Sequence, residues 1–349
     1  MNMEKKIFIC FLFAALLITA GCRKDDTPAE VKTPVGFRAM SQAALVKSGA
    51  TESLSKYHQD FGVWGIATEA INLPYILWNE STFEKVEQIS SSDNYAPVTD
   101  AYWLTGYTYK FLALAPYESG VSALSINKNL AANNQSANPS ISFTYDMSEK
   151  YNPTTQDQTP NYAFDLLGAA AVTPVTATKP DHQQLVFWHL FSKICIKVNF
   201  VNATGSVDEI RLSNVVTKGD YVVSLDEEND VDKPLSVTCT SSDAEADKIS
   251  ASSPLTLDSA NKDNVTTPQW TLHIIPQVVS DFDMYIDFTV GGSSVENFKV
   301  NLSAAGTAPY TYNGSYNWIL NITPKDITFD VEIVPWVDDN TGDTDFDFE

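Results

Sequence analysis

The chain has 349 residues, a formal net charge of −22 and a 44% hydrophobic share with 11% aromatic residues. Such an acidic chain repels phosphate backbones and carries no basic stripe, which excludes nucleic acid as a partner. The apolar content excludes general disorder, and the length suits two domains of about 150 residues each.

Lys5 and Lys6 open the chain, an apolar run follows from Ile7 to Ala20, and small residues stand directly before Cys22. A positive start, a short apolar stretch and small cleavage-site residues describe a secretory signal, not a membrane-spanning helix. The ending Leu17-Ile18-Thr19-Ala20-Gly21-Cys22 resembles a bacterial lipobox. That resemblance implies removal of residues 1–21, which leaves 328, and a diacylglyceride on Cys22. Each buried CH₂ of an acyl chain contributes roughly 0.8 kcal/mol, so outer-membrane lipid is the expected partner of Cys22. Arg23-Lys24-Asp25-Asp26 is similar to the signal that sends lipoproteins of Bacteroidota to the outer face of the outer membrane. Residues 22–34 then read as a lipidated linker, loose because Pro28 and Pro34 sit among mixed charges.

Val31, Thr33, Val35 and Phe37 alternate with Lys32, Pro34, Gly36 and Arg38, as expected of an edge strand with one buried face. Short helices are predicted at Gln42–Val46 and Ser53–His58, while Phe83, Val86 and Ile89 fit either period. Strands are predicted at Phe61–Ala67, Tyr107–Ala115, Ile194–Phe200, Trp270–Ile274, Met284–Val290 and Ile327–Ile333, all of them short and β-branched or aromatic. The last is the clearest, with Ile327, Phe329, Val331 and Ile333 on one face. Polar stretches at Lys128–Pro139 and Glu149–Pro160 read as loops, and the Thr- and Pro-rich Thr173–His182 reads as a boundary. The fold class is therefore all-β, built of β-sandwiches: one domain over 35–178 and a second over 179–349 ending in an acidic tail.

Sites with chemistry are not apparent. The histidines at 58, 182, 189 and 273 have no metal-ligand spacing, and His182 and His189 would point to opposite faces of a strand. His189 and His273 lie in apolar strand patterns and read as core histidines. The acidic run from Asp226 to Asp232 lacks the glycine and terminal glutamate of an EF-hand, and the run from Asp338 to Asp347 reads as a solvated tail. No nucleophile elbow, zinc-protease motif or phosphate loop is present, so neither catalysis nor a cofactor nor a metal is expected. Cys195 and Cys239 remain after lipidation, and either a bridge or two buried thiols fits them. Trp78 and Trp103 look exposed and suit either sugar stacking or packing.

The motifs converge on one family. Phe61-Gly-Val63-Trp64-Gly-Ile66, then Ala101-Tyr102-Trp103 leading to Tyr109–Pro116, resembles the N-terminal half of fimbrillin-like proteins. Asp165-Leu-Leu-Gly168-Ala169 is similar to the segment closing that half, and Leu185–Ile194, with His189 and Lys193, to the strand entering the next. Ile275-Pro276-Gln277, Gly314-x-Tyr316 and Val334-Pro335-Trp336 match the closing motifs.

The resemblance implies a pilin of the lipoprotein-derived fimbriae of Bacteroidota, with two tandem transthyretin-like β-sandwich domains. It implies an arginine-specific cut that removes an N-terminal strand, here between Arg38 and Ala39, and other fimbrial subunits as partners that exchange strands. Ile327, Phe329, Val331 and Ile333 form the candidate donor strand, unless that segment is the last strand of its own domain. Asp258-Ser259-Ala260 resembles an O-glycan acceptor motif of Bacteroidota and makes Ser259 a candidate glycosylation site in a surface loop. The expected location is a surface-exposed outer-membrane lipoprotein in a fimbrium, acting as a structural, tip or anchor subunit in adhesion, with host or bacterial surface ligands. The alternative is a surface glycan-binding lipoprotein.

Overall fold

The structure, a computed structural model, describes residues 32–41, 52–54, 58–69, 74–90, 92–117, 121–129, 138–148, 165–176, 178–226, 235–242, 244–262 and 270–334. The chain divides into units Met1–Thr33 and Pro34–Glu349, and the fold described below lies in the second. The all-β expectation holds: twenty-one strands, numbered in chain order, and three short 3-10 turns make up the regular structure of the described residues.

Nine strands form the first sheet: β1 (Phe37–Ser41), β2 (Glu52–Ser53), β3 (Asp60–Thr68), β4 (Tyr75–Ile76), β5 (Glu84–Gln88), β6 (Asn94–Pro97), β7 (Thr108–Ala115), β10 (Leu167–Pro174) and β11 (Gln183–His189). Their order is β11-β10-β7-β3-β5-β6-β1-β2, with β4 on β3. A further pairing joins β1 to β11 in parallel, so the sheet closes on itself. Inside lie Phe37, Phe61, Tyr95, Phe111 and Phe187, each fully buried.

β7 shows why some strands read as continuous apolar runs. Tyr109, Phe111, Ala113 and Ala115 point into this core. Leu112 and Leu114, on the opposite face, belong to a second core shared with the remaining sheets. Both faces are covered, so alternation gives way to unbroken hydrophobicity. β3 is likewise buried on both faces, and its glycines make room: a Cβ on Gly65 would lie 2.7 Å from Leu77 and 2.9 Å from Phe111.

The other strands make three four-stranded sheets. One has the order β15 (Leu235–Ser241), β14 (Lys218–Leu225), β9 (Ser140–Asp146), β8 (Ser122–Asn127). The second runs β17 (Trp270–Ile274), β12 (Ser192–Phe200), β20 (Ser315–Ile322), β21 (Ile327–Val334). The third runs β16 (Leu255–Lys262), β13 (Gly205–Ser213), β18 (Asp283–Val290), β19 (Ser293–Val300). Leu112, Ile194, Ile210, Tyr221, Ile286 and Trp318 bring all three, and the outer face of the first sheet, into one core.

Hydrogen bonding does not follow the boundary expected at 178/179. β10 and β11 pair across it, and β9 from the first half pairs with β14 from the second over seven residues, Ser140–Asp146 against Lys218–Ser224. Of the predicted helices, Gln42–Val46 lies outside the described residues, and Ser53–His58 starts as a strand in β2, with residues 55–57 also outside. The ambiguous segment at Phe83–Ile89 contains the strand β5, Glu84–Gln88.

Candidate functional site: the strand that closes the first sheet

The alternation read around Arg38 is present. Val35, Phe37, Ala39 and Ser41 are buried, while Pro34 and Arg38 are exposed. The expectation of an edge strand is corrected: β1 is an inner strand with a neighbour on either side. Phe37 and Arg38 lie opposite Tyr95 and Asn94 of antiparallel β6. Phe37 to Ser41 lie opposite Gln183 to Phe187 of parallel β11. The pairing begins earlier still, where Pro34 bridges Tyr102 and the Val35 amide donates to the Ala101 carbonyl at 2.8 Å. β11 comes close because residue 36 is glycine: its carbonyl accepts from the Gln183 amide at 2.7 Å, and a Cβ there would lie 2.9 Å from His182.

Phe37 is the anchor. Its ring meets Phe111 at 5.2 Å and Phe61 at 5.9 Å, both edge to face, and Trp78 at 6.5 Å. Burying such a ring contributes about 1.5–3 kcal/mol, with edge-to-face pairs adding to it. Arg38 projects outward, its side chain 57% exposed and 3.9 Å from Asp93.

Beneath the strand runs a polar chain that sequence reasoning missed. Tyr95, opposite Phe37, donates its hydroxyl to the His58 carbonyl at 3.0 Å, and burial pushes its phenol pKa up. Burial also holds the His58 imidazole below its ordinary pKa, against the pull of Asp165 and Asp60. Asp165 Oδ2 in turn lies 2.5 Å from His189 Nδ1, at the end of β11. The groups stand at 58, 165 and 189, so no spacing betrays them. The one signal was a histidine inside the apolar run Trp188-His189-Leu190.

The remaining expected sites fall elsewhere. Cys22 lies outside the described residues, as do Val31 and the tail beyond residue 334. Ile327, Phe329, Val331 and Ile333 belong to β21, which pairs with β20 along its whole length and is the last strand of its own sheet. Its apolar face is not uniformly covered, since Ile327 and Phe329 are buried but Ile333 is 78% exposed. Ser259 was expected in a surface loop; it lies instead in β16, a strand at the margin of its sheet. Cys195 and Cys239 are not joined by a disulfide, and burial pushes the Cys239 thiol up to about 12. Trp103 is not exposed but packs at 4.7 Å against Tyr109, and half-buried Trp78 donates to the Thr99 carbonyl at 2.8 Å. No helix among the described residues is long and apolar enough to cross a membrane.

A closed sheet that includes its first strand, continuous with a larger all-β body, places the chain in the all-β class. A family model described as fimbrillin-like matches residues 50–336, and the chain belongs to that family. A fimbrial protein from Bacteroides vulgatus is 16% identical, with a TM-score of 0.53 over 86% of this chain and 99% of that one. The tip fimbrial protein Mfa3 from Porphyromonas gingivalis, truncated at its C-terminus, is 9% identical, with a TM-score of 0.41 over 87% and 100%. No match was found among curated protein sequences. The family is one of fimbrial structural proteins, not of enzymes, which gives this chain a subunit role in a cell-surface fimbrium.

Proposed function

We propose that the chain is a structural or accessory pilin, at the tip or anchor of a fimbrium and contributing to adhesion, in which β1 fills a groove meant for a partner subunit's strand. The route begins with export as a lipoprotein acylated on Cys22 and display on the outer face of the outer membrane. Removal of the segment up to Arg38 then leaves the groove open. The observation that carries this reading is the position of β1, which alone among the described strands joins β6 to β11. Its loss up to Arg38 would unpair the backbone at Tyr95 and Asn94 on one side and at Gln183 and Gln184 on the other, beside an aromatic pocket, a surface that strand addition covers.

The chain acts as acceptor more readily than as donor. β21 is already paired along its length, and giving it up would unmake its own sheet. This favours a terminal or accessory place over a repeating stalk subunit. Ser259 remains the proposed O-glycan acceptor, on β16, and intact-mass analysis of native protein tests it.

The N-terminus of the surface-exposed form tests the central claim. A chain beginning at Ala39 that binds a labelled peptide of residues 31–41 supports the acceptor groove. A chain that begins at Ala39 and binds neither that peptide nor a fimbrial partner overturns it. A chain that keeps Cys22 on the surface while assembling through β1 unaltered does so too.

A further inference from the structure

We infer that the peptide bond after Arg38 is closed to proteolysis while β1 is paired, so that release of β1 precedes the cut and does not follow from it. This rests on the reading of β1 as the replaceable strand and adds the order of events.

A protease takes its substrate as an extended strand and pairs with the backbone on both sides of the scissile bond. Here those groups are already engaged. Phe37 and Arg38 pair with Tyr95 and Asn94 on one side, and residues 37–41 pair with β11 on the other. The Ala39 amide, which forms the scissile bond, donates to the Asp93 carbonyl at 3.1 Å. Phe37 and Ala39, flanking Arg38, are both fully buried. Only the arginine side chain is offered to solvent. The chain thus displays the residue a protease selects while withholding the bond it would cut.

Cleavage then follows the population of molecules in which β1 has left the sheet, because a protease acting on a transiently opened state reads that equilibrium. The cut makes departure permanent. The anchor Phe37 cannot return, and of β1 only Ala39 to Ser41 remain with the chain. Any strand that captures the open groove shifts the equilibrium the same way and speeds the cut.

The test treats the full-length chain in detergent micelles with an arginine-specific endoprotease and follows the appearance of an Ala39 N-terminus. A free peptide of residues 34–42 gives the unhindered rate. The expected result is a cut at least a hundredfold slower than in the peptide. Phe37→Ala, which removes the anchor, speeds it at least tenfold. A Pro34→Cys, Tyr102→Cys pair, placed where the two residues already bridge, slows it further when oxidised and releases it when reduced. A cut at the peptide's rate, indifferent to the staple and to Phe37→Ala, overturns the gate. Binding of the labelled 31–41 peptide to the cut chain is scored separately: its absence, with the gate intact, rejects the exchange reading alone.

Discussion

Asp165 Oδ2 sits 2.5 Å from His189 Nδ1, with the two side chains 3% and 2% exposed. The contact ties the residue leading into β10 to the last residue of β11, the strand that β1 must leave. Removing one member of a buried hydrogen-bonded pair strands the other, at about 1–3 kcal/mol. Asp165→Ala is expected to lower stability by that amount, read as a shift of the urea midpoint without a change of slope. An unmoved midpoint would show that the pair is dispensable.

Acid should weaken the fold through His58. Burial lowers its pKa in the folded state from the ordinary 6.5, although Asp165 and Asp60 pull it upward and His189 pulls it down. Between that lowered value and 6.5 the unfolded chain binds more protons at this position than the folded one, so stability rises with pH across the window. The contribution is complete above 6.5 and is lost progressively as the pH falls below it. Urea titrations from pH 5 to pH 8 measure the slope, and His58→Phe is expected to flatten it. A slope of the opposite sign would contradict the assignment.

Phe37→Ala empties a pocket lined by Phe61, Phe111 and Trp78. Large-to-small changes of this kind cost about 3–5 kcal/mol when the whole domain is followed. Hydrogen exchange should place the first loss of protection in β1, at the amides of Val35 and Ala39 that donate to Ala101 and Asp93. Uniform loss across all four sheets would argue against a strand that opens by itself.

Gln277 gives a physical reason for one of the short motifs noticed in the sequence. Its side-chain oxygen accepts from the Val216 amide at 2.8 Å, and its nitrogen donates to the carbonyls of Val216 at 2.9 Å and Ile275 at 3.0 Å. The residue is buried, so Gln277→Leu would leave the backbone groups of Val216 without partners, at about 3 kcal/mol. Thermal denaturation measures it, and a variant as stable as the parent would mean that water or a neighbour replaces the amide.

Cys22→Ser is expected to abolish incorporation of labelled palmitate and to release the protein from membranes. Continued labelling of the variant would remove the lipoprotein assignment.

Strands with one wet face were readable from sequence, because alternation reports burial directly. Trp270–Ile274 coincides with β17, and Met284–Val290 starts one residue inside β18. β8 was not readable: most of Ser122–Asn127 is exposed and its polar and apolar residues do not alternate, while its partner β9 supplies the buried apolar side. Closure of the first sheet was equally hidden, since it depends on Phe37 finding Gln183 far along the chain, a pairing no local pattern encodes. Trp103 suited stacking or packing equally by sequence, since no local pattern shows that its ring turns inward against Tyr109 and Phe111. The Asp165 and His189 contact left only a histidine in an apolar run, a signal shared with many inert cores.

β7 lends one row of side chains to the core inside the first sheet and the other to the core of the three remaining sheets. Neither half of the folded body can melt without stripping a face from that strand. Calorimetry of the chain should therefore record one endotherm in place of two, with the van't Hoff and calorimetric enthalpies in agreement. A fimbrial subunit built this way would pass tension along its length as a single mechanical element.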